Sequence, residues 1–176
     1  MKPSPLSNLA RAALFAALIF LGTFIIKIPL PSGYVHFGDG FIYAAAAIMP
    51  PVFAAAAAAI GGLLSDVLAG YAIYAPWTAV IKALMALPVA LFCRNNRFVV
   101  RMSGEKAAFS LVDLLLVVLA VVISGAVNVA GYFLADTLLY SLPAAVTTLA
   151  MNGVQSVAGV AVFFVSLPVL SKAFRG

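Results

Sequence analysis

Six apolar stretches divide the chain, at about 6–27, 38–50, 51–70, 76–93, 108–136 and 144–171. A helix needs about 20 apolar residues at 1.5 Å each to cross the hydrocarbon core of a bilayer, so the first, fourth, fifth and sixth stretches predict spanning helices outright. Residues 38–70 are too long for one span, and Pro50-Pro51 supplies a break between a short second helix and a full third one. The pattern predicts an all-α protein, an integral membrane bundle of six transmembrane helices forming one domain over residues 1–176. The first stretch is longer than the apolar part of a usual secretion signal and runs into the next loop without a clear small-residue cleavage site. It is therefore read as a helix of the mature protein.

Polar positions inside these stretches are spaced like helix faces. Ser124, Asn128, Tyr132 and Asp136 recur every four residues in the fifth stretch, and Thr148, Asn152, Gln155, Ser156 and Gly159 repeat the pattern in the sixth. In a membrane such a stripe faces protein or a cavity, not lipid. Counted by helical rise from Asp136 and Pro143, Asn128 and Asn152 lie about 12 and 13 Å below the ends of their helices. Lys82 lies about 9 Å past Pro76, and Asp66 about 6 Å from the end of the third helix. A charge at that depth is paired, hydrated or bound to a ligand. Lys82 either pairs with Asp66, fixing the third helix to the fourth, or faces a ligand. Asn128 and Asn152 read either as interhelical polar glue or as pocket groups. Their shared level with Lys82 favours a pocket.

Two aromatic turns sit on one side of the predicted membrane, because two helices separate them. The first, Pro31 to Gly40, holds Tyr34, His36 and Asp39; the second, Gly70 to Trp77, holds Tyr71, Tyr74 and Trp77. Pro29, Pro31 and Gly33 make the first an extended, stiff connection. Tyrosine at a membrane interface is often only an anchor. Gathered with the chain's one histidine at one mouth, however, these groups predict a binding site for a small polar ring compound.

Composition adds the class and the orientation. Hydrophobic residues make up 65% of the chain and charged residues 9%, against about a quarter charged in soluble domains. The net charge of +5 does not point to nucleic acid, because Lys2, Arg11, Arg94, Arg97, Arg101, Lys106, Lys172 and Arg175 fall near the termini or in the fourth-to-fifth connection. Six spans bring those regions to one face, which the positive-inside rule makes cytoplasmic. Both termini are thus expected in the cytoplasm. The single Cys93 excludes an internal disulfide, and one histidine with one nearby carboxylate falls short of a metal-ligand set. No metal or cofactor is expected. Ala12, Ala13, Ala16 and Ala17 form two overlapping small-xxx-small pairs in the first helix, which serve either packing within the bundle or docking of a partner.

In combination these residues resemble the substrate-binding S components of energy-coupling factor transporters, the vitamin-uptake family of prokaryotes. The likeness covers nearly the whole chain. It rests on the alanine pairs of the first helix, Ile28-Pro-Leu-Pro-Ser-Gly-Tyr-Val-His-Phe-Gly-Asp39, Gly61-Gly-Leu-Leu-Ser-Asp-Val-Leu-Ala-Gly-Tyr71, Tyr74-Ala-Pro-Trp-Thr-Ala-Val-Ile-Lys82, Asn128-Val-Ala-Gly-Tyr132 and Asn152-Gly-Val-Gln155. The resemblance implies a multi-pass protein of a prokaryotic cell membrane with a site near the outer face, capped by the loop after the first helix. It also implies partnership with a transmembrane coupling protein and two ATPase subunits, with Ala12, Ala13, Ala16 and Ala17 at the coupling contact. The nearest likeness is to members proposed to take up pyridoxine-type vitamins or hydroxymethylpyrimidine, with riboflavin carriers more distant. The chain carries no Walker A sequence, so ATP hydrolysis would fall to the partners.

On this reading Tyr34, Tyr74 and Trp77 supply ring faces, and Asn128, Tyr132, Asn152 and Gln155 supply donors and acceptors. Lys82 or His36 meets a phenolate or carboxylate of the ligand, and the loop bearing Asp39 closes as a lid. Two other readings stand beside it. One is a stand-alone carrier or channel. The other is a membrane enzyme using Asp39, Asp66 and Asp136, but nothing in their spacing forces proximity and no nucleophile–base motif is present, so no catalytic residue is assigned.

Overall fold

The computed structural model describes residues 4–30 and 33–175, and of these the side chains at 29, 30, 33, 34 and 175 lie outside the description. The chain is an all-α membrane bundle with one small β element. In order it forms α1 (Pro5–Phe24), β1 (Lys27–Leu30), β2 (Gly33–His36), α2 (Gly38–Ile48), α3 (Pro51–Leu68), α4 (Ala75–Cys93), α5 (Arg97–Met102), α6 (Leu111–Leu139) and α7 (Leu142–Arg175). Five of these, α1, α3, α4, α6 and α7, are long and apolar enough to cross a membrane.

Local chemistry fixes most boundaries. The Ser4 hydroxyl caps α1 by accepting from the Ser7 N–H at 3.1 Å. Proline occupies the first turn of α1, α3 and α4, where a missing N–H costs nothing. Ser110 and Asp113 form a reciprocal capping box at the start of α6.

The short second helix expected before Pro50-Pro51 is α2. Helix α2 has 11 residues, about 16 Å of rise, and so reaches across only about half of a hydrocarbon core. All of its residues from Gly38 to Ile48 except Phe41 are buried, as the apolar run that follows Asp39 requires. Around it the long helices pack in the order α1, α3, α4, α6, α7, and α2 closes the ring by lying against α7, α1 and α4. Gly40 permits its approach to α7: a Cβ there would fall 2.4 Å from Val162 side-chain carbons and 2.9 Å from the Phe163 nitrogen. Gly61 does the same between α3 and α1, where a Cβ would fall 2.8 Å from the Ala16 carbonyl oxygen.

The connection after α1, expected as extended chain, is a pair of antiparallel strands in which Lys27 faces His36 and Ile28 faces Val35. Pro31 and Ser32, between them, lie outside the described residues. The strands, the α3–α4 turn and the α6–α7 turn share one end of the bundle. The opposite end carries α5, Arg94, Arg97, Arg101, Lys106 and Lys172. Exposed Leu84, Leu91, Leu119, Val122, Val157 and Val165 form part of the apolar outer surface, the face a bilayer would cover.

Candidate functional site

At the strand end the bundle encloses a cavity of about 320 Å³. Helical spacing decides which side chains reach it. Tyr74, Thr78 and Lys82, four apart, enter from α4 and the residue before it; Tyr132 and Asp136 enter from α6; Thr148, Met151, Asn152 and Gln155 enter from α7. His36 of β2, Asp66 of α3, Thr23 of α1 and Tyr71 of the α3–α4 turn complete the wall.

A buried ion pair forms the floor. The Lys82 ammonium donates to Asp39 Oδ1 at 2.6 Å and to Asn128 Oδ1 at 2.9 Å, with Lys82 and Asp39 only 2% and 0% exposed. Pairing of this kind lets two charges survive burial. Asn128 donates onward to the Ser156 hydroxyl at 3.3 Å. Tyr132 stacks beside the same ammonium, its ring centroid 5.3 Å from Nζ, while its hydroxyl lies 2.9 Å from that of Thr78.

Gln155 couples this floor to the strands. Its Nε2 donates to Asp39 Oδ2 and to the His36 carbonyl, each at 3.0 Å, and its Oε1 accepts the His36 N–H at 2.8 Å. The His36 ring is held near by its Nδ1, which accepts the Gly38 N–H at 3.2 Å. Burial lowers the His36 pKa from 6.5 to about 4, with Asp39 opposing and Lys82 and Lys27 reinforcing the shift. The imidazole is therefore neutral at physiological pH. On the far wall, Asp136 accepts from Tyr74 at 2.6 Å and from Thr148 at 2.5 Å.

The structure thus brings His36, Tyr74, Lys82, Tyr132, Asn152 and Gln155 to one cavity, with Asp39 and Asn128 directly beneath its floor. Trp77 does not join them. It sits one position off the 74–78–82 line, about 100° around the helix, and packs against the apolar core. The side chain of Tyr34 lies outside the described residues. Lys82 pairs with Asp39, not with Asp66, which overturns the first of the two roles that helix depth leaves open for it. With Lys82 neutralised and His36 uncharged, the expectation of a phenolate or carboxylate ligand at these groups loses its basis. Ala12 and Ala16 are buried against the bundle, whereas Ala13 and Ala17 are exposed.

Several cavity residues are not singled out by sequence. Thr78 lies midway between Tyr74 and Lys82 and is recoverable from spacing alone, and Asp136 and Thr148 end polar stripes already visible. Tyr71 belongs to the aromatic turn that the sequence places at the mouth, whereas Thr23 and Met151 carry no comparable signal.

Fold and geometry define a class: a membrane-embedded helical bundle with a polar cavity at one end, closed at its floor by a buried ion pair. Residues 6–173 match the family model described as ECF-type riboflavin transporter, S component, and the chain belongs to that family. It is also similar to a protein of Pyrococcus woesei described as "Uncharacterized protein in gap 3'region", 30% identical over 140 residues, covering 78% of this chain and 84% of the relative.

Proposed function

We propose that this S component captures a small heteroaromatic B vitamin or vitamin precursor in the cavity between α3, α4, α6, α7 and β2, for ATP-driven uptake. The observation that carries the reading is the cavity itself, built from polar and aromatic groups of separate spans. Its volume of about 320 Å³ lies at the low end of the range of about 300–1,000 Å³ for small-molecule sites. That favours a single-ring pyridine or pyrimidine of the vitamin B6 or hydroxymethylpyrimidine kind over a tricyclic flavin. The family's name speaks for riboflavin, which is therefore the comparison ligand. Tyr74 and Tyr132 offer ring surface; Asn152, Gln155 and Thr78 offer donors and acceptors.

The basic end, by the positive-inside rule, faces the cytoplasm with both termini, so the strands and cavity face outward. The strands act as the cap over the site. Association with a transmembrane coupling protein and two ATPase subunits uses the outward pair Ala13 and Ala17, since Ala12 and Ala16 are already spent on packing within the bundle. Calorimetric titration of the purified protein in lipid nanodiscs with pyridoxine, hydroxymethylpyrimidine and riboflavin tests the assignment. Micromolar or tighter binding of a single-ring compound is expected; absence of binding by all three removes the receptor reading, and preferential binding of riboflavin reverses the ring-size choice.

A further inference from the structure

Most polar atoms around the cavity are satisfied from within the protein. Two of the three Lys82 N–H groups go to Asp39 and Asn128. Both oxygens of Asp136 accept hydroxyl protons, from Tyr74 and Thr148. Gln155 spends its carbonyl and its amide on His36 and Asp39. Asp66 is different. It lines the cavity, the Thr78 side chain hydrogen-bonds its carboxyl group, and its Oδ2 is buried without a hydrogen-bond partner among the described residues. A carboxylate oxygen withdrawn from water with no donor is costly, by about 1–3 kcal/mol or more for a charged group.

Resting on the receptor reading above, we infer that Asp66 is a specificity-determining residue that accepts a hydrogen bond from the ligand, selecting an edge that bears an amine, an N–H or a protonated ring nitrogen. The charges agree. Asp66 and Asp136 line the wall, and the cation among the described lining residues, Lys82, has its charge met by Asp39 at 2.6 Å. A ligand carboxylate would lie among acidic groups with no uncompensated cation among the described lining residues, whereas a donor or cation completes Asp66. The remaining Lys82 N–H suits a ligand acceptor, so the site favours a ring edge carrying both a donor and an acceptor.

Matched probe pairs that differ in the donor test this. Pyridoxamine is set against 4-pyridoxic acid, 4-amino-5-hydroxymethyl-2-methylpyrimidine against its 4-methoxy analogue, and riboflavin against N3-methylriboflavin, with affinity read by calorimetry in nanodiscs. In the unaltered protein the donor-bearing member of the pair that binds is expected to be at least tenfold tighter, a comparison that needs no variant. Asp66→Asn is expected to bring that ratio near one while leaving the melting temperature of the ligand-free protein equal or higher, because it removes the charge from a buried group with one unpartnered oxygen. A merely structural Asp66 would lower that temperature and leave the ratio intact, and that result overturns the assignment, as does equal binding of both members by the unaltered protein. If the unaltered protein binds none of the six probes, the receptor reading itself fails and takes this inference with it.

Discussion

At the scale of single residues, the floor pair dominates. Lys82→Met leaves the Asp39 carboxylate buried, and stranding one partner of a buried pair typically costs about 3–5 kcal/mol. A large fall in the detergent melting temperature is therefore expected, and the double variant Asp39→Asn/Lys82→Met should recover much of it, since no orphan charge remains. Equal melting of the single and double variants would show that the pair is not coupled. His36 adds a pH dependence of definite sign. Its folded pKa is lowered from 6.5 to about 4, so the unfolded chain takes up its proton first as pH falls. The stability it contributes is whole above about 6.5 and is lost as pH drops towards 4, by at most about 3 kcal/mol. Melting curves of the protein and of His36→Gln should diverge above that window and converge below it. The depth of Lys82 is legible by counting from Pro76. Its partner is not, because Asp39 is 43 positions away and the choice between Asp39 and Asp66 depends on helix rotations that periodicity does not fix. Trp77 fails for a related reason: an aromatic beside a cavity-facing line looks like part of it until the 100° per residue is counted.

Among elements, α2 is the one whose environment is most exacting. Its alanines are buried on all sides, and its seat against α7 depends on Gly40. Gly40→Ala should force the two helices apart and lower the melting temperature by the equivalent of about 1–3 kcal/mol, the usual cost of overpacking. Adding Val162→Ala should restore only a small part of the loss, because alanine keeps the Cβ that the new methyl meets at 2.4 Å and the Phe163 backbone nitrogen still lies at 2.9 Å. Full recovery would place the clash in the Val162 γ-methyl groups alone. The helices themselves are readable from apolar length and from Pro50, Pro51 and Pro76, whose backbone consequences are local. The strand pair is not. Ile28-Pro29-Leu30 shows no clean alternation, and two prolines near a turn argue for extended chain without saying that it pairs with itself. What ties His36 to α7 is Gln155, 119 positions away, a contact that exists only once α7 has packed beside α2.

For the molecule as a whole, the proposed orientation and partner face rest on one asymmetry. Basic residues crowd the end opposite the cavity, and on α1 the two alanine pairs divide their work. Ala12 and Ala16, 6% and 9% exposed, are buried in the bundle, and the Ala16 carbonyl lies against Gly61 of α3. Ala13 and Ala17 point away from the bundle among exposed Leu9, Leu14 and Leu21. In sequence the two pairs are indistinguishable, since every member is alanine at the same interval; only the rotation of α1 against α3 separates them. Leucine is as good a helix former as alanine to within a few tenths of a kcal/mol, and on a lipid-facing surface it is accommodated without clash. Ala13→Leu/Ala17→Leu should therefore leave melting temperature and ligand affinity unchanged while abolishing co-purification with the coupling protein and ATP-dependent uptake, because the close approach of a second helix is blocked. Ala12→Leu should behave oppositely, lowering the melting temperature before any question of partners arises. Retained co-purification by the Ala13/Ala17 variant would move the docking face elsewhere on the bundle and leave α1 with a packing role alone.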